Sequence, residues 1–317
     1  MRAVFLDRDS LDTGDLDFSA LERVCGTLQY HAATERDEVC TRIQGAGIVI
    51  SNKVMLDAET LRQAQELQLI CIAATGTNNV DLDAARTRGL VVSNCRGYGT
   101  QSVAQHAIML MLTVATSFNA YQRELRAGAW QQARQFCLLD HPIRELGGRV
   151  LGIVGYGELG RATAQLAQAF GMQVRIAALP GRPAGEGRVP LAELLSQVDV
   201  LSLHCPLTAE TRGLIGAAEL AAMKSDAILI NTARGGLVDE AALVAALRRG
   251  RLGGAGVDVL SVEPPLAGNP LLVDDLPNLI VTPHNAWGSR EARQRLVDQL
   301  VENVQAFIAG APRRVVI

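Results

Sequence analysis

Aromatic residues make up only 4% of this 317-residue chain, and Lys53 and Lys224 are its only lysines. So few rings exclude a base-stacking surface. Neither sign of charge dominates: 30 basic residues stand against 33 acidic ones, for a net charge of −3. General nucleic-acid and anionic-membrane binders need a basic excess, so neither partner is expected. Long apolar runs are missing too, since stretches such as Ala107 to Ala115 fall well short of the ~20 residues that span a bilayer. The N-terminus meets Asp7, Arg8 and Asp9 too soon for a secretory signal. Six cysteines, at positions 25, 40, 71, 95, 137 and 205, form no CxxC pair and match no zinc spacing, so no metal is expected. They read as reduced, mostly buried thiols of a cytoplasmic protein.

What is present is an alternation. The length fits about two domains of roughly 100–200 residues each. Strand-like runs at 3–6, 47–51, 69–73 and 90–93 are separated by helical patterns at 57–65 and 81–88. A helical stretch from 102 to about 126 follows, apolar nearly all round over 104–115, which predicts burial at a domain or subunit contact. The polar stretch 128–148 reads as loop and short turns. Alternation restarts at 149–154, with further strands at 174–177, 200–203, 228–231, 256–259 and 279–282 and a terminal helix over about 290–308. Continuous apolar strands joined through helices predict an α/β fold, its parallel sheets covered on both faces.

The sharpest local signal is the run Val150-Leu151-Gly152-Ile153-Val154-Gly155-Tyr156-Gly157-Glu158-Leu159-Gly160, an apolar strand passing through G-x-G-x-x-G into a helix. Gly155 allows the tight turn, Gly157 admits a pyrophosphate close to the backbone, and Gly160 lets helix and strand pack closely. The free N–H groups near Glu158 and Leu159 would face the phosphates at the helix N-terminus. The carboxylate that usually meets the ribose 2′-hydroxyl ~20 residues on is absent, because 174–182 has no Asp or Glu before Glu186. Repulsion against a 2′-phosphate is thereby removed, and Arg182 either pairs with one or is a solvated loop residue. The cofactor expected is NAD or NADP.

Three strand ends carry reactive side chains on the edge where ligands of parallel sheets bind. Arg234 ends Asn231-Thr232-Ala233-Arg234-Gly235-Gly236 and can grip a carboxylate bidentately. Asp258 lies in Gly256-Val257-Asp258-Val259, upstream of Glu263, and a charge inside such an apolar strand needs a partner. His284 follows the strand ending at Thr282-Pro283. An arginine, carboxylates and a histidine emerging beside the glycine loop predict an active site.

These motifs, together with Ala74 to Leu82, Asn94 to His106, and His204-Cys205-Pro206-Leu207-Thr208, resemble the D-isomer-specific 2-hydroxyacid dehydrogenases, above all the glycerate dehydrogenase/hydroxypyruvate reductase subgroup. The resemblance runs from about residue 45 to 310. It implies two Rossmann-like/flavodoxin-like parallel-sheet domains separated by a cleft. The substrate-binding domain would comprise 1–98 and 288–317 and the NAD(P)-binding domain 99–287, with a homodimer formed through the 102–126 helix. It also implies roles: Arg234 as carboxylate anchor, His284 as proton donor, Glu263 as its partner and Asp258 beside the nicotinamide. Asn52, Thr75 and Gly76 would line the substrate site. Val103, Gly155, Gly157, Glu158, Leu159, Gly160, His204, Pro206, Thr211, Thr232 and Ala233 would line the cofactor site, together with Arg182, Asp258 and His284.

The chemistry agrees with those roles. Negative charge grows on the C2 oxygen as a 2-keto acid is reduced, and a protonated His284 can meet it. A neighbouring carboxylate favours the charged ring. The expected substrate is a small 2-keto/2-hydroxy acid, hydroxypyruvate or glyoxylate, with a D-2-hydroxy acid as product. A formate- or phosphite-type dehydrogenase and a dinucleotide-sensing corepressor on the same fold are the alternatives. Cys95 and Cys205, beside site loops, read as small apolar filler rather than reactive thiols. Lys53 either reaches a substrate hydroxyl or phosphate or is a plain surface lysine.

Overall fold

The computed structural model describes residues 1–181, 185 and 187–317. The chain divides into two compact units, Met1–Gly99 with Gly288–Ile317, and Thr100–Trp287. Among the described residues no single helix is long and apolar enough to cross a membrane.

The first unit alternates β1 (Arg2–Phe5), α1 (Ser19–Cys25), β2 (Thr27–Tyr30), α2 (Val39–Ile43), β3 (Ile48–Ser51), α3 (Ala58–Gln63), β4 (Leu69–Ile72), α4 (Leu82–Thr87) and β5 (Val91–Ser93). Asp57 and Asp81 open α3 and α4 by accepting the backbone N–H of Thr60 and Ala84, which satisfies an orphan donor of each first turn. The five strands are parallel in the order β2-β1-β3-β4-β5. Strands β3 and β4 are buried along their whole length, as a sheet covered on both faces requires. The chain's last helix and tail return to this unit. Asn303 donates to the Asn94 carbonyl, Ser93 Oγ donates to the Arg313 carbonyl, and Val316 N–H donates to Val92.

The second unit begins with α5 (Thr100–Ala115), α6 (Phe118–Arg126) and α7 (Ala129–Gln132). It continues through β6 (Val150–Val154), α8 (Glu158–Ala169), β7 (Gln173–Ala177), β8 (Arg188–Val189), α9 (Leu191–Leu195) and β9 (Val200–Leu203). Then come α10 (Ala217–Ala222), β10 (Ile228–Asn231), α11 (Glu240–Arg248), β11 (Gly254–Val257) and β12 (Leu279–Val281), before α12 (Arg290–Ile308) of the first unit. All seven strands are parallel, ordered β12-β11-β10-β9-β6-β7-β8. This is the doubly wound arrangement, with the strand order reversing between β6 and β9. Leu194, Leu201, Leu229 and Leu243 fill the core on one face of the sheet; Leu110, Met111, Ile153, Ala164 and Ile230 fill the other. Helix α5 approaches β11 closely because two strand residues lack a side chain. A Cβ on Gly254 would stand 2.4 Å from Val114 Cγ1, and one on Gly256 2.8 Å from Leu110 Cβ.

Three sequence expectations change here. The helix expected over 102 to 126 is two helices meeting at 60°. Ser117 breaks it in the left-handed region at φ 50°, where its Oγ donates to the Pro142 carbonyl at 2.7 Å. The apolar α5 is buried within its own unit, against β10, β11 and α8. The strand placed at 256–259 ends at Val257, so Asp258 stands just past it. Short strands β2 and β8 were not anticipated.

Candidate active site

The register of the second sheet assembles the site. Val154, Leu203, Asn231, Val257 and Val281 form one row across β6, β9, β10, β11 and β12. The next residue of each strand is therefore Gly155, His204, Thr232, Asp258 and Thr282, a row along the carboxyl edge.

At the β6 end the glycines do what close approach demands. Gly155 has φ 97°, and a Cβ there would lie 2.6 Å from the backbone of His204 and Cys205. A Cβ on Gly160 would lie 2.2 Å from the Gly155 carbonyl oxygen. One on Gly157, the residue preceding α8, meets nothing within 4 Å. Glu158 and Leu159 form the first turn of α8, and Glu158 accepts a bond from Thr100 Oγ1 at 2.7 Å. Val103, on α5, is buried.

His204 follows β9, its Nε2 2.8 Å from Ser202 Oγ. Burial pushes this imidazole down to about 4, so it is neutral near pH 7. Its Nδ1 and Thr232 Oγ1 are buried with no partner among the described residues. Thr211 donates to the Pro206 carbonyl and accepts from Thr208 N–H, which fixes the turn after β9. Ala233 is buried, its N–H held by Asn231 Oδ1. A glycine cradle open at Gly157, a helix N-terminus and buried polar atoms with bonding capacity to spare fit a dinucleotide. Arg182 lies outside the described residues.

The other end of the row carries charge. Asp258 is 1% exposed, yet its carboxylate accepts from Thr282 Oγ1 at 2.5 Å, Asn285 N–H at 3.0 Å and Ala286 N–H at 3.0 Å. His106 of α5 meets Thr282 Oγ1 through Nε2 at 2.9 Å. With the threonine proton committed to Asp258, His106 is the donor in that contact. His284 stands inside this turn at φ 51°, its N–H bonded to the Asp258 carbonyl at 2.8 Å. Its Nδ1 lies 2.5 Å from Glu263 Oε2, while Glu263 Oε1 accepts from Leu260 N–H. The exposed Arg234 guanidinium donates to the Ala233 carbonyl, and the Arg234 carbonyl accepts from Asn231 Nδ2. His284 and Glu263 are thus brought together from 21 residues apart. Nothing local in the sequence marks a role for His106, because its contacts to Thr282 and Asp258 come from residues far along the chain.

In the first unit, the order reverses between β1 and β3, and Asp7 and Asn52 follow those two strands. Asp7 accepts the N–H groups of Asn52 and Lys53, and Asn52 Nδ2 donates to Ser10 Oγ. Thr75 donates to the Cys95 carbonyl and its own carbonyl accepts from Asn94; Gly76 follows in the same loop. Cys95 and Cys205 are buried, which pushes their thiols up to about 12 and about 11.

A family model for the D-isomer specific 2-hydroxyacid dehydrogenase NAD binding domain matches residues 108–286. The chain is 48% identical over 99% of its length to a glycerate dehydrogenase of Methylorubrum extorquens, covering 98% of that protein. It is 40% identical over its full length to a hydroxypyruvate reductase of Blautia hydrogenotrophica, covering 99% of it. Among solved structures, the TT0316 protein of Thermus thermophilus superposes with a TM-score of 0.87 at 38% identity, with both chains fully covered.

Three outcomes follow from this geometry. Gly160→Ala should lower thermal stability by about 1–3 kcal/mol, the usual cost of overpacking. Gly157→Ala should keep the melting temperature and weaken NAD(P)H binding at least about tenfold, about 1.4 kcal/mol, in a fluorescence titration. A thiol reagent at mildly alkaline pH should label Cys40 and Cys137 in the folded protein and spare Cys95 and Cys205, as read by peptide mass mapping.

Proposed function

The chain belongs to the D-isomer specific 2-hydroxyacid dehydrogenase family, and on that premise we propose that it reduces hydroxypyruvate or glyoxylate to the D-2-hydroxy acid, reversibly, with His284 as proton donor. At the coarser level it is an NAD(P)-dependent oxidoreductase acting on a 2-keto acid. The observation that carries the finer reading is the 2.5 Å contact between His284 and Glu263 on the same sheet edge as the glycine cradle.

The nicotinamide, when bound, supplies the hydride to C2. The glycine loop, Glu158, Leu159 and the turns around Pro206, Thr211, Thr232 and Ala233 would hold the dinucleotide. Asp258 spends three acceptor positions on its own chain and keeps one for a ligand N–H. His284 gives its proton to the C2 oxygen as charge develops there, and Glu263 holds the ring by Nδ1 so that Nε2 carries that proton. Arg234 neutralises and orients the substrate carboxylate, a task for a planar two-pronged donor that lysine does not perform.

No carboxylate occurs in the sequence between Ala177 and Gly181, so the residues that directly follow β7 bring no charge against a 2′-phosphate, and the cofactor in this reading is NAD or NADP. The exposed apolar side chains of α6 and the segment after it, including Phe136 at 88% and Leu139 at 76% exposure, are the face a second copy would cover.

Steady-state reduction of hydroxypyruvate, glyoxylate and pyruvate with NADH and NADPH tests the reading. We expect His284→Ala to lower kcat by about 10²–10⁴-fold while NAD(P)H binding persists, and Arg234→Lys to raise KM for the keto acid. No turnover of any keto acid by a protein that still binds NADH would sink it. Light scattering should give a dimer for the native chain and a monomer for Phe136→Asp combined with Leu139→Asp.

A further inference from the structure

The loop that carries Glu263 leaves β11 and must present its carboxylate to His284, although Ser261, Val262, Glu263, Pro264 and Leu266 are all exposed. Val262 is 67% exposed and Leu266 91%, so the tip gains almost no burial. A loop with so little apolar contact needs another restraint to keep one side chain within hydrogen-bond distance of its partner.

We propose that Glu240, the first residue of α11, is a positioning residue that ties this loop at its neck and thereby sets the Glu263–His284 contact. Glu240 Oε1 accepts from Ser261 N–H at 2.6 Å. Glu240 Oε2 accepts from Ser261 Oγ at 2.8 Å and from Asn269 Nδ2 at 2.8 Å. Ser261 and Asn269 lie at the two ends of the exposed segment, so one carboxylate closes the loop around Glu263. Asn269 is itself set, its Oδ1 accepting from Leu271 N–H where the chain re-enters the core.

A second observation ties the same loop to the arginine. A Cβ built on Gly235 would stand 1.8 Å from the Leu260 carbonyl oxygen and 2.5 Å from Ser261 nitrogen. The backbone just after Arg234 therefore lies directly on the start of the Glu263 loop. Glu240 sits one helix start further on, with Asp239 capping α11 from the backbone N–H of Ala242. The connection from β10 to α11 thus carries Arg234, receives the loop at Gly235 and clamps it at Glu240. That one connection carries the arginine and restrains the loop that brings Glu263 to His284.

This rests on the reading of Glu263 as the partner of His284, and a double-mutant cycle separates the two. Glu240→Ala, Glu263→Gln and the double variant are compared by kcat and KM for keto-acid reduction, by NADH titration and by thermal unfolding. Expected is a fall in kcat of about tenfold or more for Glu240→Ala, of the size that an ångström-scale misplacement brings. NADH affinity should stay unchanged. In the Glu263→Gln background the same substitution should change kcat by less than about twofold, because the contact it maintains is already gone. Glu240→Gln, which keeps an acceptor for Ser261 N–H, should recover part of the loss. Equal fold-losses in both backgrounds would overturn the clamp while leaving Glu263 in its role. A Glu263→Gln variant with full kcat would overturn the Glu263 reading itself. If Glu240→Ala does not fold, Asn269→Ala, which opens the neck from the other side, is put through the same cycle with the same criteria.

Discussion

A carboxylate buried at the end of a strand has to find donors, and the edge of the second sheet is organised around that demand. Asp258 is almost wholly buried, and the donors come from the chain that leaves β12: the Thr282 hydroxyl and the N–H groups of Asn285 and Ala286. Those three bonds force the backbone to wrap round the carboxylate. His284 lies inside the wrap and takes a left-handed conformation that costs a non-glycine residue about 1–2 kcal/mol. Charge-assisted bonds of roughly 1.5–3 kcal/mol each offset that cost. The histidine is therefore aimed by a residue that does not touch its ring, and His106 completes the chain by donating to Thr282.

The parallel register turns this local clamp into a site. With Val154, Leu203, Asn231, Val257 and Val281 aligned, whatever follows each strand emerges along one edge. Glycine comes first, then a neutral histidine, a threonine, and only then the charged Asp258. Along this row, charge is absent at the glycine end, near which a pyrophosphate would rest, and present at Asp258, beside the proposed proton donor. The order of residue types along the edge is thus an order of local electrostatic demand.

Much of this is written in short stretches of sequence. The glycine cradle, the strand ends at Arg234 and His284 and the terminal helix are readable because their causes are local: periodicity, a turn that needs glycine, a cap. The His284–Glu263 pairing came from family resemblance, and the geometry supplies its contact. What was not readable depends on partners far along the chain. The break at Ser117 needs the Pro142 carbonyl, 25 residues on. Sequence alone places Asp258 within a strand because the apolar run continues to Val259, whereas the ladder stops where its side chain turns to bind the next segment. His106 passes for one more residue of an apolar helix until Thr282 arrives 176 residues later. Strands β2 and β8 are short edges with little burial, so neither shows the continuous apolar run of the inner strands.

Both units are doubly wound parallel sheets with different strand orders, and they diverge in chemistry at the point where such a sheet offers a ligand site. In each, the strand order reverses beside the first strand, opening a crevice at the carboxyl ends: between β1 and β3 in one, and between β6 and β9 in the other. In the first unit Asp7 stands in that crevice and takes the N–H groups of Asn52 and Lys53, donors that could otherwise meet an anion. A carboxylate there also disfavours a phosphate. In the second unit the equivalent crevice holds Gly155 and an uncharged His204, and the N–H groups that open α8 are left for a ligand. A carboxylate near the first switch point engages the chain's own N–H groups, while the glycine loop at the second leaves those that open α8 to a ligand.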